Sequence, residues 1–397
     1  MKAMFGIRKR DTSYGAIIDI HSGSVGIAIL YSNHTEKDPQ ILFTHREEIQ
    51  ILENPGTENL VRALRRALFG ATLQFSQEGV KALKAHDPYA TIGKVLLVCG
   101  APWAQTATRF ITIEEAEPFL ITEDKIRSLI LEAERRDEEE FKATALLKEL
   151  NVSLVESAVV HTTVNGYSVS NPYGKKAKEV TLAHISGLIP QAITQTIDDI
   201  KEKTLTDTHR TSHTFALVLF CVLRDLYPLQ KHAVIIDISG EATEICLMQD
   251  EVLLETHVFP YGTYTFIRDL AVRLHTFPDE ALTHLREYSP ETTGEIKNAI
   301  DEIAKTYTTY LHDSYTSLAE RYTIPKHFYL TTSKGLDIFF DTLVRRASES
   351  YMQSHGTCTS LNEILTVQNT HTNAPVDVFF AVEARFFHKM HSCGEIT

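Results

Sequence analysis

The sequence predicts an α/β protein in which one domain occurs twice, with a ligand held between the copies. Two observations carry this. The first is a repeat: Tyr14 to Leu30 reads YGAIIDIHSGSVGIAIL and His232 to Met248 reads HAVIIDISGEATEICLM. In each, a β-branched apolar run ends in an aspartate, Asp19 or Asp237, crosses a few small or polar residues and resumes an apolar run. That is a strand, a tight turn and a second strand, with a carboxylate at the mouth of the turn. Glycine and serine in the turn let backbone N–H groups approach an anion closely, and successive N–H groups form a nest for phosphate. The second observation is length: 397 residues suffice for two core-bearing domains and an insertion.

Composition narrows the class. A hydrophobic content of 43% with 23% charged residues is that of an ordinary soluble protein. The net charge of −13 argues against a general nucleic-acid binder, which needs clustered Lys and Arg. Five scattered cysteines, an odd number, point to a reducing cytoplasm rather than a disulfide framework or zinc site. No apolar stretch approaches the roughly 18–20 residues that span a bilayer; Phe215 to Leu223 reaches about half of that. The start, MKAMFGIRKR, is basic but lacks the apolar core of a signal peptide, and a frayed basic end is the plainest reading.

The elements follow in order. Gln40 to Gln50 reads as a third strand after the first hairpin, and Glu58 to Lys84 as a helix with Leu60, Ala63, Leu64, Ala67 and Leu68 on one face. Lys94 to Ala101 is a buried strand. Thr122 caps a helix carrying Ile126, Leu129, Ile130 and Ala133, whose charged end, Glu132 to Glu140, reads as a solvated face. Val152 to Asn165 and Glu179 to Ser186 are strands around a turn-rich segment, and Pro190 to Lys201 is a helix. The Thr-rich stretch Thr204 to Thr214 reads as a linker or flexible loop; His209 and His213 in it lack a nearby third ligand, so a metal site is a poor reading. After the second hairpin come a strand (Glu251 to Phe259), a helix opened by Pro260-Tyr261-Gly262, and a long amphipathic helix marked by Ile296, Ile300, Ile303, Ala304, Tyr307 and Leu311. His327 to Leu330 is a strand leading into TTSKG and a helix through Arg346. Ser348 to Asn373 is a polar tail, and an apolar helix, Asp377 to Met390, is expected to dock back on the first domain.

Three segments carry a family resemblance. DIHSGSVG (Asp19 to Gly26) looks like a first phosphate loop, DISGEATE (Asp237 to Glu244) like a second, and YLTTSKGLD (Tyr329 to Asp337) like an adenosine loop. In this order and spacing they resemble the actin-like ATPase superfamily, which implies two duplicated actin-like (ribonuclease H-like) domains flanking a nucleotide cleft. The segment Asp237 to Ala271, with its apolar-Pro-x-Gly turn into a helix, is most similar to the cell-division protein FtsA and the pilus-assembly protein PilM. So is the insertion between the loops, with its turn Asn171-Pro172-Tyr173-Gly174. The resemblance implies a first domain over residues 1–90, an inserted small α/β subdomain over 91–190, a connecting helix and polar loop over 191–230, a second domain over 231–375 and a returning helix over 376–397.

It also implies ATP with Mg²⁺ as cofactor. Asp19 and Asp237 would bind the metal; Ser22, Gly23, Ser24, Gly240, Thr243, Gly262, Thr332, Ser333 and Gly335 would line the nucleotide. Departures from the family pattern count against turnover. His21 stands where the first loop usually has Gly, and Gly26 where Lys is common; Ser239 and Glu241 replace glycines of the second loop. A carboxylate at Glu241 about 4 Å from a phosphate charge would cost roughly 4 kcal/mol at an effective dielectric near 20. Thr332 and Ser333 replace the usual Gly pair at the base, and no catalytic residue is assigned. The expectation is a cytoplasmic scaffold peripheral to the inner membrane, with weak or absent ATP hydrolysis. It would bind the cytoplasmic tail of a membrane, division or pilus protein, or polymerise, with indirect membrane contact. The alternative is an active ATPase or sugar-kinase-like phosphotransferase of the same fold.

Overall fold

A computed structural model describes residues 12–33, 35–144, 150–206, 208–289, 291–333, 335–365 and 376–393. The chain opens with β1 (Thr12–Ile20), β2 (Ser24–Asn33) and β3 (Gln40–Glu48). Helix α1 (Thr57–Gln74), a π turn at Phe75–Gly79 and α2 (Val80–His86) lead to β4 (Lys94–Cys99). An insertion follows: β5 (Gln105–Leu120), α3 (Glu123–Thr144), β6 (Val152–Val164), β7 (Tyr167–Ser168) and β8 (Lys176–Pro190). Helix α4 (Gln191–Thr204), β9 (His209–Thr214) and α5 (Phe215–Leu226) close the first half. The second half runs β10 (His232–Ile238), β11 (Thr243–Gln249), β12 (Val252–Phe259), α6 (Thr263–Leu274), α7 (Pro278–Arg286) and α8 (Gly294–Ala319). It continues with β13 (His327–Thr332), α9 (Asp337–Met352), β14 (Thr357–Ser360), α10 (Leu361–Ile364) and α11 (Val378–Cys393).

The repeat in the sequence extends to whole sheets. One has the order β3-β2-β1-β4-β9, the other β12-β11-β10-β13-β14. In both, the first three strands form an antiparallel meander and the last two run parallel to the hairpin's first strand. The registers match as well: Asp19 lies opposite Gly26 and beside Val98, Asp237 opposite Glu244 and beside Thr331. The insertion forms its own sheet, β5-β8-β6-β7, backed by α3. Its turn is closed by the Asn171 side chain accepting from Tyr173 N–H at 3.0 Å, with Gly174 at φ +76 where a Cβ would be strained.

Alternation along the strands explains the continuous apolar runs and aims the aspartates. Ala16, Ile18 and Ile20 face an outer core against α1, while Ile17 packs inward with the helices α5 and α11. In the other copy Val234, Ile236 and Ile238 face an outer core built with α6, α8 and α9, while Ala233 and Ile235 join the same inner core. A side-chain period of two therefore places Asp19 and Asp237 on the inner faces. Helix α11 lies close to the first sheet because Gly15 and Gly26 leave room for its rings; a Cβ there would stand 2.2 Å from Phe387 and 2.6 Å from Phe380.

Three expectations need correction. The Thr-rich stretch around residue 210 is no loop: HRTSHT is β9, the edge strand of the first sheet, paired along its length with β4. β-branched threonines suit a pleated strand with one polar face. Four residues along a strand separate His209 from His213 by roughly 13 Å, too far to share an ion; His213 instead bonds Glu156 at 2.8 Å. The tail after Ser348 likewise holds a strand, β14, in the corresponding place of the second sheet. Within the charged run of α3, Asp137 is buried on Arg109 and Ser186 rather than solvated.

Candidate functional site

The two hairpin turns meet. Ser22 Oγ lies 2.9 Å from Ser239 Oγ and accepts the Glu241 N–H at 2.8 Å. Ser239 Oγ also lies 2.8 Å from the Ala101 carbonyl. Gly23 and Gly240 touch through their backbones: a Cβ on Gly240 would stand 2.8 Å from Gly23 N and 2.9 Å from its Cα. Gly262, which opens α6, supports the second turn from behind, where a Cβ would fall 2.3 Å from the Ser239 carbonyl oxygen. The Tyr264 hydroxyl, in the first turn of α6, reaches across to the carbonyls of Gly23 (2.9 Å) and Ile49 (2.8 Å). A phosphate cannot enter between these turns unless they part.

Beneath the turns the aspartates are engaged by the chain itself. The His21 ring sits between them, Nε2 3.0 Å from Asp19 and Nδ1 3.8 Å from Asp237, in charge contact rather than in aligned hydrogen bonds. Phe215 and Phe379 flank that ring with centroids at 4.8 and 4.5 Å. Arg46, from β3, reaches Asp19 at 2.7 Å, Asp377 at 2.9 Å and Ser24 Oγ at 2.9 Å, and lies over the Phe380 ring at 4.7 Å. Asp237 accepts the Thr331 hydroxyl at 2.6 Å.

Burial opposes ionisation of Asp19, yet His21 and Arg46 outweigh it and hold the carboxyl below the usual carboxylate range. For His21, burial alone would discharge the ring; Asp19, then Asp237, reverse this and favour the imidazolium. Two more carboxyls border the group. Burial and the Asp19 charge push Glu383 of α11 far up, and burial with the Asp237 charge pushes Glu244 up to about 8, which favours the protonated form of both.

Of the residues the sequence singled out, Asp19, Ser22, Gly23, Ser24, Asp237, Gly240 and Gly262 converge here. Thr243 does not: its hydroxyl bonds the Tyr261 carbonyl and Tyr307 hydroxyl, turned into the second domain's core. Thr332 is buried at the end of β13, Ser333 follows it, and Gly335 adopts φ +85 beside Arg286. Glu241 is also placed differently from expectation. Its carboxylate forks onto Arg268 at 2.6 and 2.8 Å, so its charge is neutralised from α6 instead of standing bare at a phosphate. Sequence reasoning missed Arg46, Thr331, Phe379, Phe380 and Glu383 as site residues. Glu383 stands out in the sequence only as a lone acid in an apolar helix, and Phe379 and Phe380 only as part of that helix's aromatic-rich run, read as core packing.

These residues do not fit Mg²⁺ and a nucleotide phosphate. The carboxylates that would face the metal already carry His21, Arg46 and Thr331, and the space beside Gly26 holds Phe380 and Arg46. Gly100 makes the seat for His21, since a Cβ there would lie 2.5 Å from two ring atoms. Gly100→Ala is therefore expected to destabilise the protein by roughly 1–3 kcal/mol through overpacking. The same change in a His21→Ala background should cost little, a non-additivity readable by urea denaturation. Additive costs would mean the ring is not seated on Gly100.

No family model matches the chain, and no curated protein matches it in sequence. Among solved structures it is similar to one described as the PilM-PilN type IV pilus biogenesis complex. The TM-score is 0.57 at 14% identity, over 96% of this chain and 98% of that one. It also resembles the ethanolamine utilization protein EutJ from Carboxydothermus hydrogenoformans (TM-score 0.45, 8% identity, 94% and 89% covered). A third is a protein of actin-like ATPase fold and unknown function from Bacteroides thetaiotaomicron (TM-score 0.44, 12% identity, 97% and 99% covered). At these identities the likeness speaks for the fold alone.

Proposed function

We propose, with the actin-like ATPase fold as the premise, that this protein is a scaffold of the kind formed by FtsA and PilM. In this reading it binds nucleotide weakly or not at all and links partner proteins at the inner membrane, in cell division or pilus assembly. The observation that supports it is the cleft filled from within: His21 and Arg46 on the loop aspartates, and the two turns in contact. Phosphoryl transfer depends on positioned metal, phosphate and nucleophile, and here Phe215 at the start of α5 and Phe379 of α11 close over His21. The likeness to a structure of a PilM-PilN complex is in keeping with a partner-binding role. The partner would be the cytoplasmic tail of a membrane protein. Among the described residues no helix is long and apolar enough to cross a bilayer.

Calorimetric titration with Mg·ATP tests the reading, with no binding heat expected up to millimolar nucleotide. Micromolar binding with turnover would overturn it in favour of an ATPase or phosphotransferase. Co-sedimentation with anionic vesicles adds a second arm: the protein alone should stay in solution, and direct pelleting would exclude indirect attachment.

A further inference from the structure

We infer, building on the scaffold reading, that the two domains are held closed by their own side chains, so that closure requires no nucleotide. Beside the apolar core that the halves share, a set of buried and part-buried polar contacts crosses between them, and those at the hairpin turns lie where a ligand would otherwise bridge. Ser22 of the first turn bonds both Ser239 and the Glu241 N–H of the second. Ser239 reaches back to the Ala101 carbonyl, and the Tyr264 hydroxyl lies against the Gly23 and Ile49 carbonyls. Arg268 spans the same boundary, gripping Glu241 and lying 3.4 Å from the Leu52 carbonyl. Farther out, the Thr256 hydroxyl donates to the Thr106 carbonyl.

Charge explains why such a closure is stable without a bound cation. Asp19 and Asp237 lie in different sheets, each within reach of the His21 ring; burial, with the Asp19 charge added, pushes the Asp237 carboxyl up, the effect of two acids sharing one buried space. His21 stands between them within reach of both, and Arg46 adds a fixed positive charge on Asp19. The first domain thus supplies from its own chain the positive charge that a nucleotide's metal ion would bring to these aspartates. Glycines at 23, 26, 100, 240 and 262 let these groups approach, since a Cβ at four of them would come within 3 Å of a neighbour. The geometry is one of a permanently set clamp, presenting one surface to partners.

Amide hydrogen exchange on the full chain tests this, following peptides that cover residues 20–25 and 239–243 with and without Mg·ATP. In the nucleotide-free protein both turns should exchange roughly a hundredfold more slowly than exposed turns, and Mg·ATP should change them less than about twofold. Tyr264→Phe removes one crossing hydroxyl and keeps the ring. It should speed exchange in both turns by about fivefold to tenfold while leaving α8 unchanged. Turns that exchange freely until Mg·ATP is added would overturn the closure, as would a Tyr264→Phe effect spread evenly over the chain. Protected turns together with calorimetric ATP binding would leave closure standing and remove the weak-nucleotide reading. Unprotected turns with no binding heat would do the reverse.

Discussion

Arg46→Met is expected to destabilise the protein by roughly 3 kcal/mol, the cost of removing one of the two cations, Arg46 beside His21, that balance the buried Asp19 charge. Asp19 is fully buried, and the Arg46 guanidinium is shared among Asp19, Asp377 and Ser24. Methionine keeps much of the side-chain volume over Phe380 but removes the charge, so the loss is electrostatic rather than steric. Asp19→Asn on the same background should recover part of the stability, because a neutral amide no longer demands a counter-charge. Equilibrium urea denaturation of the single and double variants measures both effects. A single variant within 1 kcal/mol of the parent would show that Arg46 is not needed to balance the buried Asp19 charge.

The pH dependence of stability should change equally clearly in Glu244→Gln. In the folded protein burial, reinforced by the Asp237 charge, pushes the Glu244 carboxyl up to about 8, whereas the unfolded chain titrates near the ordinary value of about 4.5. Between these values the folded state keeps a proton that the unfolded state has released. The contribution of this group to stability is therefore full below about pH 4.5, declines as pH rises and levels off above about pH 8. The loss across that window is on the order of 5 kcal/mol. Glutamine has the same shape and cannot ionise, so the variant should lose this slope and exceed the parent in stability at pH 8. Urea midpoints taken from pH 5 to pH 8 decide it, and parallel slopes in parent and variant would refute it.

Much of the frame was legible because it follows from local pattern. A strand buried on both faces reads as an unbroken apolar run, and a lone aspartate at its end stands out against Ile17, Ile18, Ile235 and Ile236. The apolar stripe of α8 and the Gly262 entry to α6 were equally visible. The fifth strand of each sheet was not. β9 (HRTSHT) and β14 (TCTS) are short, polar and at the edge, so their strand identity comes from the ladder to β4 and β13 rather than from their own composition. Both escaped for the same reason, in equivalent places of the two copies.

The candidate site divides in the same way. Asp19 and Asp237, their serine- and glycine-bearing turns, and the departures at His21, Gly26, Ser239 and Glu241 were set by the sequence alone, because each belongs to a hairpin readable from its neighbours. What fills the cleft was decided only in three dimensions. Arg46 arrives from the third strand, and Phe379, Phe380 and Glu383 come from a helix more than 350 residues beyond the first turn. Glu241 turns from a phosphate's place to Arg268 because α6 passes beside it. Contacts between such distant segments depend on how two sheets close on the helices between them, and no periodicity along the chain encodes that distance. The twin hairpins therefore identify a clamp, and only the packing shows that the clamp already holds its own side chains.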